Sequence, residues 1–123
     1  MTLDTNILIA YFTGDEGVVS KLSSWQKDGG TLFLPSIVEA ELLSFPKLST
    51  IEQRTIEKFL EENLTFIPFD RTIARIVATI RRQTNTKIAD SAIAATALYT
   101  RTPLATRNTK DFKNVAGLTL LPL

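Results

Sequence analysis

The sequence predicts one α/β domain whose parallel sheet is covered by helices on both faces. Short apolar runs typical of buried strands alternate along the chain with longer amphipathic runs typical of helices. This alternation favours a parallel sheet between layers of helices. With 123 residues, of which 44% are hydrophobic, the chain can bury one substantial core. It contains no repeat, low-complexity tract or linker, so we expect a single domain over residues 1–123.

The alternation assigns each element in chain order. Short apolar runs predict strands at residues 1–3, 31–34, 65–68, 103–106 and 118–121. Helical periodicity, and an alanine-rich composition in the last case, predicts helices at residues 5–12, 16–28, 36–43, 49–62, 71–82 and 88–100. Gly29 and Gly30 end the second helix, and Pro35 turns the second strand into the third helix. Asp70 precedes the fifth helix in the position of an N-cap.

Two residue types are missing from the composition. The chain has no cysteine, which excludes disulfides and thiolate metal sites, and no histidine, which excludes imidazole bases and the usual zinc ligands. Any catalysis must therefore use carboxylates, hydroxyls, amides, lysine or arginine. No apolar run is long enough to span a membrane and no signal-like segment is present, so we expect a soluble cytoplasmic protein without a membrane partner.

The net charge of +1 conceals a split between two parts of the chain. Residues 1–70 carry 5 Lys or Arg against 11 Asp or Glu, whereas residues 71–123 carry 9 against 2. The excess of positive charge in the second part is either an ordinary solvated helix surface or a basic surface for RNA or an acidic partner.

Three aspartates fall where ligands gather in parallel sheets, at the carboxyl ends of strands or at helix starts. Asp4 directly follows the first predicted strand and interrupts an apolar run, and Asp111 follows the fourth strand after a few residues. Asp90 begins the last helix, where free N–H groups and the helix dipole tolerate an anion. Both Asp4 and Asp90 are also consistent with plain helix starts. Because a buried carboxylate without a partner is unfavourable, Asp4 either caps a helix or binds a cation.

Two glutamates in the segment SIVEAELL have different predicted roles. Ser36 and Glu39 have the spacing of a capping box, which gives Glu39 a structural role at the helix start. Glu41 lies roughly 200° around the helix from Glu39, nearer the apolar side formed with Leu34 and Ile37. A carboxylate on that side needs a partner, so Glu41 is the predicted functional residue.

A cluster of carboxylates without imidazole or thiolate is an oxygen-only site suited to Mg²⁺ or Mn²⁺. Such ions activate water and stabilise the charge of a phosphodiester during its hydrolysis. Four carboxylates brought together without a cation would repel one another, and at least one pKa would rise. A bound cation would remove that conflict and would explain an aspartate at the end of the first strand.

Four segments resemble, in order and spacing, the motifs of PIN-domain ribonucleases: LDTNILIAYF, IVEAELLSF, IADSAIAATALY and LATRNTKDF. The length resembles that of VapC-type toxins of toxin–antitoxin pairs, and the likeness extends from Leu3 to Leu121. The resemblance implies a five-stranded parallel sheet of order 3-2-1-4-5 flanked by helices. It also implies Mg²⁺- or Mn²⁺-dependent endonucleolytic cleavage of RNA, leaving 5′-phosphate and 3′-hydroxyl ends, together with an antitoxin partner and a homodimer.

The resemblance also assigns roles to individual residues. It implies that four acids are catalytic and bind the metal, namely Asp4, Glu41, Asp90 and Asp111. Asn6 matches the asparagine of the D-T-N motif, and Thr106 and Asn108 match polar residues that orient the fourth acid or a metal-bound water. From the charge split we expect Arg107 and Lys110, nearest in sequence to the fourth acid, to hold flanking RNA phosphates.

Two other functions stay open on the sequence alone. A non-catalytic PIN-like module would bind RNA or a protein without needing a metal, so its binding would persist in EDTA. A phosphohydrolase of the haloacid-dehalogenase type would use Asp4 as a nucleophile that fluoroberyllate can trap. That type normally has a second aspartate two residues later, where this chain has Asn6.

Overall fold

The computed structural model describes residues 1–123 and contains five strands, six α-helices and one short 3₁₀ turn. The strands are β1 Thr2–Leu3, β2 Phe33–Pro35, β3 Thr65–Ile67, β4 Leu104–Thr106 and β5 Leu120–Pro122. The helices are α1 Thr5–Phe12, α2 Glu16–Lys27, α3 Ser36–Leu42, α4 Thr50–Asn63, α5 Arg71–Gln83 and α6 Ile88–Thr100. The 3₁₀ turn, Thr109–Asp111, follows β4. None of the helices combines the length and the apolar composition that crossing a membrane requires.

The strands form one parallel sheet in the order β3-β2-β1-β4-β5, which confirms the expected topology. Thr2 pairs with Leu104 and Leu3 with Ala105, so β1 and β4 end side by side. The chain moves toward one edge from β1 to β3 and then returns past β1 to β4 and β5. Because parallel crossovers are right-handed, the connections before and after β3 cover opposite faces of the sheet. The direction reverses between β1 and β4, where ligands bind in open parallel sheets.

The alanine-rich helix α6 lies in the core of the molecule. All of its residues from 91 to 97 are buried, and Ala94 and Ala95 have no exposed surface. Small side chains allow this helix to approach β1, β2 and α5 closely. Tight packing on several sides fixes α6, so any side chain in its first turn is presented from a rigid support.

Helix starts follow ordinary capping chemistry. Asp70 accepts a hydrogen bond from a backbone N–H in the first turn of α5, which confirms its predicted N-cap role, and Asp15 does the same for α2. Helix α4 begins with a complete capping box, in which Ser49 and Glu52 each accept a hydrogen bond from the other's backbone N–H.

The capping box predicted for Ser36 and Glu39 is wrong. Helix α3 starts directly from β2, its N-cap is Pro35, and no side chain caps it. Ser36 is therefore already the first helical residue, one position too late for its hydroxyl to act as the cap. That hydroxyl instead accepts a hydrogen bond from Phe69 N at 3.1 Å, which ties α3 to the segment before α5.

The observed strands are shorter than the apolar runs that predicted them. The second is Phe33–Pro35 rather than 31–34, and the fifth is Leu120–Pro122 rather than 118–121. A strand ends where its pairing with a neighbouring strand ends. Strand β2 pairs with β3, and β5 with β4, over only three residues each. Apolar residues beyond those pairs still contribute to the core.

Candidate functional site

Asp4 is the most deeply buried of the acids singled out from the sequence, with 5% of its surface exposed. Its Oδ2 accepts hydrogen bonds from Thr106 Oγ1 at 2.7 Å and from Asn6 Nδ2 at 3.2 Å, and its Oδ1 accepts one from Thr5 N at 2.7 Å. Burial raises the pKa of this carboxyl group, the three donors lower it, the charge of Glu41 raises it, and the net shift is upward.

The sheet is what brings Asp4 and Thr106 together. Asp4 directly follows β1, Thr106 ends the neighbouring strand β4, and Asp4 N donates a hydrogen bond to Ala105 O at 3.0 Å. Asp4 is also the N-cap of α1, which confirms the capping interpretation of this residue. Its second carboxylate oxygen, Oδ2, accepts hydrogen bonds from the side chains of Thr106 and Asn6 instead of from the helix backbone.

Glu41 is connected to Asp4 through Thr5. The hydroxyl of Thr5 donates to Glu41 Oε1 at 2.7 Å, while the backbone N–H of the same threonine donates to Asp4. The side chain of Glu41 is exposed, so its predicted position on the apolar side of α3 is wrong. Helix α3 packs against α1, and this contact rather than burial brings Glu41 toward the site.

Glu39 has different surroundings, although it is only two residues away. It is half-buried beside the hydrophobic residues Leu34 and Leu60 and the acidic side of α4. Burial raises the pKa of Glu39, and the negative charges of Glu61 and Glu57 raise it further. The charge of Glu41, by contrast, raises the pKa of both Asp4 and Asp90.

Asp90 lies in the first turn of α6 and is half-buried. Burial raises its pKa most, and the charges of Asp111, Asp4 and Glu41 raise it further, against a smaller lowering by Lys87. The negative charges of all four predicted acids therefore interact at Asp90. The four acids thus lie near enough to one another, at the carboxyl edge of β1 and β4, for their charges to interact, and we refer to them together as the acidic site.

Asp111 comes from the 3₁₀ turn after β4 and is exposed. Together with Asp90 it lines a cavity of about 250 Å³ that contains no hydrophobic residue. The other lining residues are polar or cationic, namely Asn85, Thr86, Lys87, Lys110 and Asn114. Neither lysine forms an ion pair in the structure, so both ammonium groups are available to a ligand beside the acids.

The segment after β4 is bonded into the site through its backbone. Asn108 N donates to Thr106 Oγ1 at 2.9 Å, and Arg107 N donates to Asn6 Oδ1 at 3.2 Å. The guanidinium of Arg107 donates to Asp15 Oδ2 at 2.6 Å and to the backbone carbonyl of residue 123 at 2.8 Å. The hydroxyl of Thr106 thus orients Asp4 rather than the fourth acid, and Arg107 already has two partners within the protein.

The acidic site is an oxygen-only donor set of the kind that Mg²⁺ and Mn²⁺ prefer. Burial raises the pKa of Asp90 most, and the repulsion among the acids, which raises it further, is the conflict that a divalent cation relieves. No three of the acidic side chains are arranged closely enough to hold an ion as they stand. The donor chemistry fits such a cation, whereas the carboxylates are not already drawn together around one position.

Two contributors to the site were not predicted from the sequence. Thr5 contacts Asp4 with its backbone and Glu41 with its hydroxyl, and the signal for it was its position inside the D-T-N motif. Lys87 lines the polar cavity beside Asp90, and in the sequence it is only one of many basic residues in the second part of the chain.

Comparison with known proteins adds the family context. The family described as PIN domain matches residues 1–118 of the chain. Ribonuclease VapC1 of Rickettsia felis is 29% identical over 130 residues, covering 98% of this chain and 94% of that protein.

Solved structures show the same fold. A VapBC2 structure from Rickettsia felis, bound to a DNA fragment from its promoter, superposes with a TM-score of 0.87 at 26% identity, over 99% of this chain and 97% of that one. A toxin–antitoxin complex from Klebsiella pneumoniae gives a TM-score of 0.80 at 29% identity, over 96% and 94% of the two chains. FitAcB from Neisseria gonorrhoeae gives 0.78 at 27% identity, over 98% and 96%.

Proposed function

The chain belongs to the PIN domain family, and from that premise we propose that it is a metal-dependent endoribonuclease and the toxin of a toxin–antitoxin pair. The observation that carries this proposal is the acidic site, in which four carboxylates interact at the switch point of the sheet without a cationic partner for Asp4. The likeness to Ribonuclease VapC1 supports RNA as the substrate. Hydrolysis would leave 5′-phosphate and 3′-hydroxyl ends.

The metal would be held by the four acids of the site, Asp4, Glu41, Asp90 and Asp111. When bound, Mg²⁺ or Mn²⁺ supplies charge neutralisation at the phosphodiester and an activated water. The protein's own contribution is orientation. Thr106 and Asn6 hold one oxygen of Asp4, and Thr5 holds the other oxygen while its hydroxyl aligns Glu41. These donors favour the ionised form of Asp4, in opposition to its burial.

RNA would be held by the cations of the polar cavity. Lys110 and Lys87 flank Asp111 and Asp90 there, so phosphates next to the scissile bond would meet positive charge while the bond itself lies at the acids. Arg107 uses two of the five N–H groups of its guanidinium within the protein, which leaves three for RNA. Arg107 therefore remains a candidate RNA contact, but only through the N–H groups that it does not use within the protein.

An antitoxin partner is supported by the toxin–antitoxin complexes among the structural neighbours. Between α1, α3 and α4 the chain has an apolar groove of about 440 Å³. Its hydrophobic lining is Ile9, Phe12, Leu42, Phe45, Leu48 and Ile56. We propose that an apolar segment of the antitoxin covers this groove, and that the toxin itself is a homodimer, as its resemblance to the family implies.

The proposal is tested by incubating the protein with total RNA, with and without Mg²⁺ or Mn²⁺. We expect cation-dependent cleavage that is abolished in Asp4→Asn and in Glu41→Gln. Glu39→Gln is the matched control, since it makes the same change two residues away outside the acidic site, and it should cleave like the wild type. Circular dichroism of each variant checks that the fold is retained.

RNA binding in EDTA and exposure to fluoroberyllate, measured alongside cleavage, test the alternative functions. RNA binding that persists in EDTA, without cleavage under any cation, would indicate a non-catalytic binding module. Trapping of Asp4 by fluoroberyllate would indicate a phosphohydrolase. Reversed effects of the two glutamate variants would refute the assignment of Glu41 to the site.

A further inference from the structure

We propose that Asp15 and Arg107 form a positioning pair that holds Asn6, and through it the carboxylate of Asp4, in the orientation that the acidic site requires. Asp15 is not one of the four acids of the acidic site. It lies at the corner between α1 and α2, outside every motif singled out in the sequence. The inference rests on the proposed nuclease function, whose site it concerns.

The first step is the fixation of Arg107. Its Nη2 donates to Asp15 Oδ2 at 2.6 Å, and its Nε donates to the carbonyl of Leu123 at 2.8 Å. Because the guanidinium is planar and donates to two separate acceptors, it has little freedom to rotate. The residue after β5 and the N-cap of α2 therefore hold Arg107, the residue that follows β4.

The second step is the orientation of Asn6. Its Oδ1 accepts a hydrogen bond from Arg107 N at 3.2 Å, and its Nδ2 donates to Asp4 Oδ2 at 3.2 Å. A side-chain amide has its acceptor and its donors on opposite branches, so a fixed acceptor determines where the donor points. A flipped amide would place its oxygen against the carboxylate of Asp4, which is unfavourable.

The third step is the rigidity of Asp15 itself. Its Oδ1 caps α2 by accepting from Val18 N at 3.1 Å, and its own N–H donates to Ala10 O at 3.0 Å. The preceding Gly14 adopts φ +84°, which forms the tight corner between α1 and α2. The bond from Arg107 is the largest cause of a lowered pKa of Asp15, so the carboxylate is ionised at neutral pH.

The contribution of the pair to stability is small, which makes its positioning role testable. The two side chains are 41% and 35% exposed, and ion pairs that exposed to water typically contribute little to stability. Breaking the pair should therefore leave the protein folded. A change in catalysis without a change in stability would then report on orientation.

The decisive variant is Asp15→Asn, because asparagine remains a good N-cap while the charge that holds Arg107 is lost. Arg107→Lys is the companion, since it keeps the positive charge that RNA would feel but replaces the planar fork with one ammonium. Asp70→Asn is the matched control. Asp70 caps α5 through Ile73 N at 3.0 Å, with the same geometry as Asp15 but without an arginine.

We expect Asp15→Asn and Arg107→Lys to lower kcat by about ten- to a hundredfold, with KM within about twofold of the wild type. Asp70→Asn should leave both constants unchanged. A second readout does not depend on activity. The backbone amide resonance of Arg107 and the side-chain amide resonances of Asn6 should shift in Asp15→Asn and stay in place in Asp70→Asn.

The opposite pattern would overturn the inference. If Arg107 serves RNA alone, Asp15→Asn removes a repelling charge, so it should keep kcat and bind RNA as tightly as the wild type or more tightly. Unshifted resonances of Asn6 in Asp15→Asn would refute the pair directly. If the wild type cleaves no RNA at all, the nuclease proposal fails, while the resonances still decide whether Asp15 controls Asn6.

Discussion

Asp4 is a buried carboxylate whose three hydrogen-bond donors are all uncharged. Thr106, Thr5 and Asn6 stabilise its ionised form but do not neutralise it, and no ion pair reaches it. Burying an ionised group without a counter-charge is unfavourable, which is why the pKa is raised despite these donors. Asp4 therefore lacks the counter-charge that a bound cation would supply. Its three hydrogen bonds also fix the orientation of its carboxylate.

Thr106→Val tests the strongest of those donors. Valine keeps the shape of the side chain but removes the hydroxyl that donates to Asp4 at 2.7 Å, so cleavage should fall about 10- to 100-fold. Thr96→Val is the control, because Thr96 is equally buried and its hydroxyl bonds only within α6. The measurement is the cleavage rate at saturating Mg²⁺. Equal losses in the two variants would show that only packing was disturbed.

Glu39 gives a prediction for stability rather than activity. Burial and the nearby Glu61 and Glu57 raise its pKa above the ordinary value of 4.5, so the folded state holds this proton more tightly than the unfolded chain does. The free energy of unfolding should therefore fall as pH rises from 4.5 through the raised pKa. Glu39→Gln should weaken that fall and raise Tm at neutral pH.

The check is a series of thermal melts against pH for the wild type and Glu39→Gln. Glu62→Gln serves as the comparison, because it removes an exposed glutamate of α4 whose ammonium partner Lys58 lies 3.9 Å away. A Tm of Glu39→Gln below that of the wild type at neutral pH would show that its carboxylate is stabilising, contrary to the pKa argument.

At the scale of single elements, the start of α4 contains a complete capping box, whereas the one predicted for α3 does not form. Ser49 Oγ accepts from Glu52 N at 3.0 Å, so Ser49→Ala should lower the free energy of unfolding by about 0.5–2 kcal/mol. Ser23→Ala, in the exposed middle of α2, makes the same chemical change without touching a cap. Urea unfolding of both variants provides the comparison. No difference between them would mean that the capping bonds contribute nothing measurable.

The helices were well predicted because their periodicity is local information. The range 88–100 of the last helix is confirmed without change, and the 71–82 prediction is short by one residue. Strand limits depend on which neighbours pair, which no local pattern contains. The start of α3 failed for a related reason, since a strand that continues directly into a helix leaves no separate capping position for Ser36.

The same distinction applies to the site: local motifs predict its acids, whereas contacts between residues far apart in the chain are not predicted. Motifs pointed to the four acids, and the structure couples their charges at Asp90. The contacts of Asp15 could not be foreseen, because the residue that it bonds, Arg107, lies 92 positions away and meets it only through the sheet order. The sequence assigns Glu41 to the site on the premise of an apolar helix side, whereas in the structure a solvent-exposed hydrogen bond from the hydroxyl of Thr5 orients it.

At the scale of the whole molecule, the charge split follows the sheet. Strands β2 and β3 lie on one side of β1 and belong to the acidic part of the chain, whereas β4 and β5 lie on the other side and belong to the basic part. The acidic site lies at the boundary. On the proposed function, RNA approaching this site would be repelled by the acids and would need to be held by cations from the basic side.

The double variant Lys87→Ala/Lys110→Ala tests this arrangement. RNA affinity measured against salt, with Ca²⁺ present to block turnover, should show a slope that is flatter by about 0.7 for each phosphate that the variant no longer neutralises. KM should rise more than kcat falls, because such contacts act alike in the ground and transition states. Lys21→Ala/Lys113→Ala removes the same charge outside the cavity. An identical slope in both double variants would assign the basic side to a protein partner.

The hydrogen bond between Asp4 and Thr106 joins residues 102 positions apart in the chain, and this separation has a consequence for timing. During synthesis the first aspartate leaves the ribosome early, but its partner strand β4 emerges only when most of the chain is complete. The central strand β1 can therefore pair with β2 before it can pair with β4. Closing so long a loop is a slow folding event. In the nuclease proposed above, a nascent chain would carry the first acid before Thr106 is present to orient it, so the site would be completed only after β4 has joined the sheet.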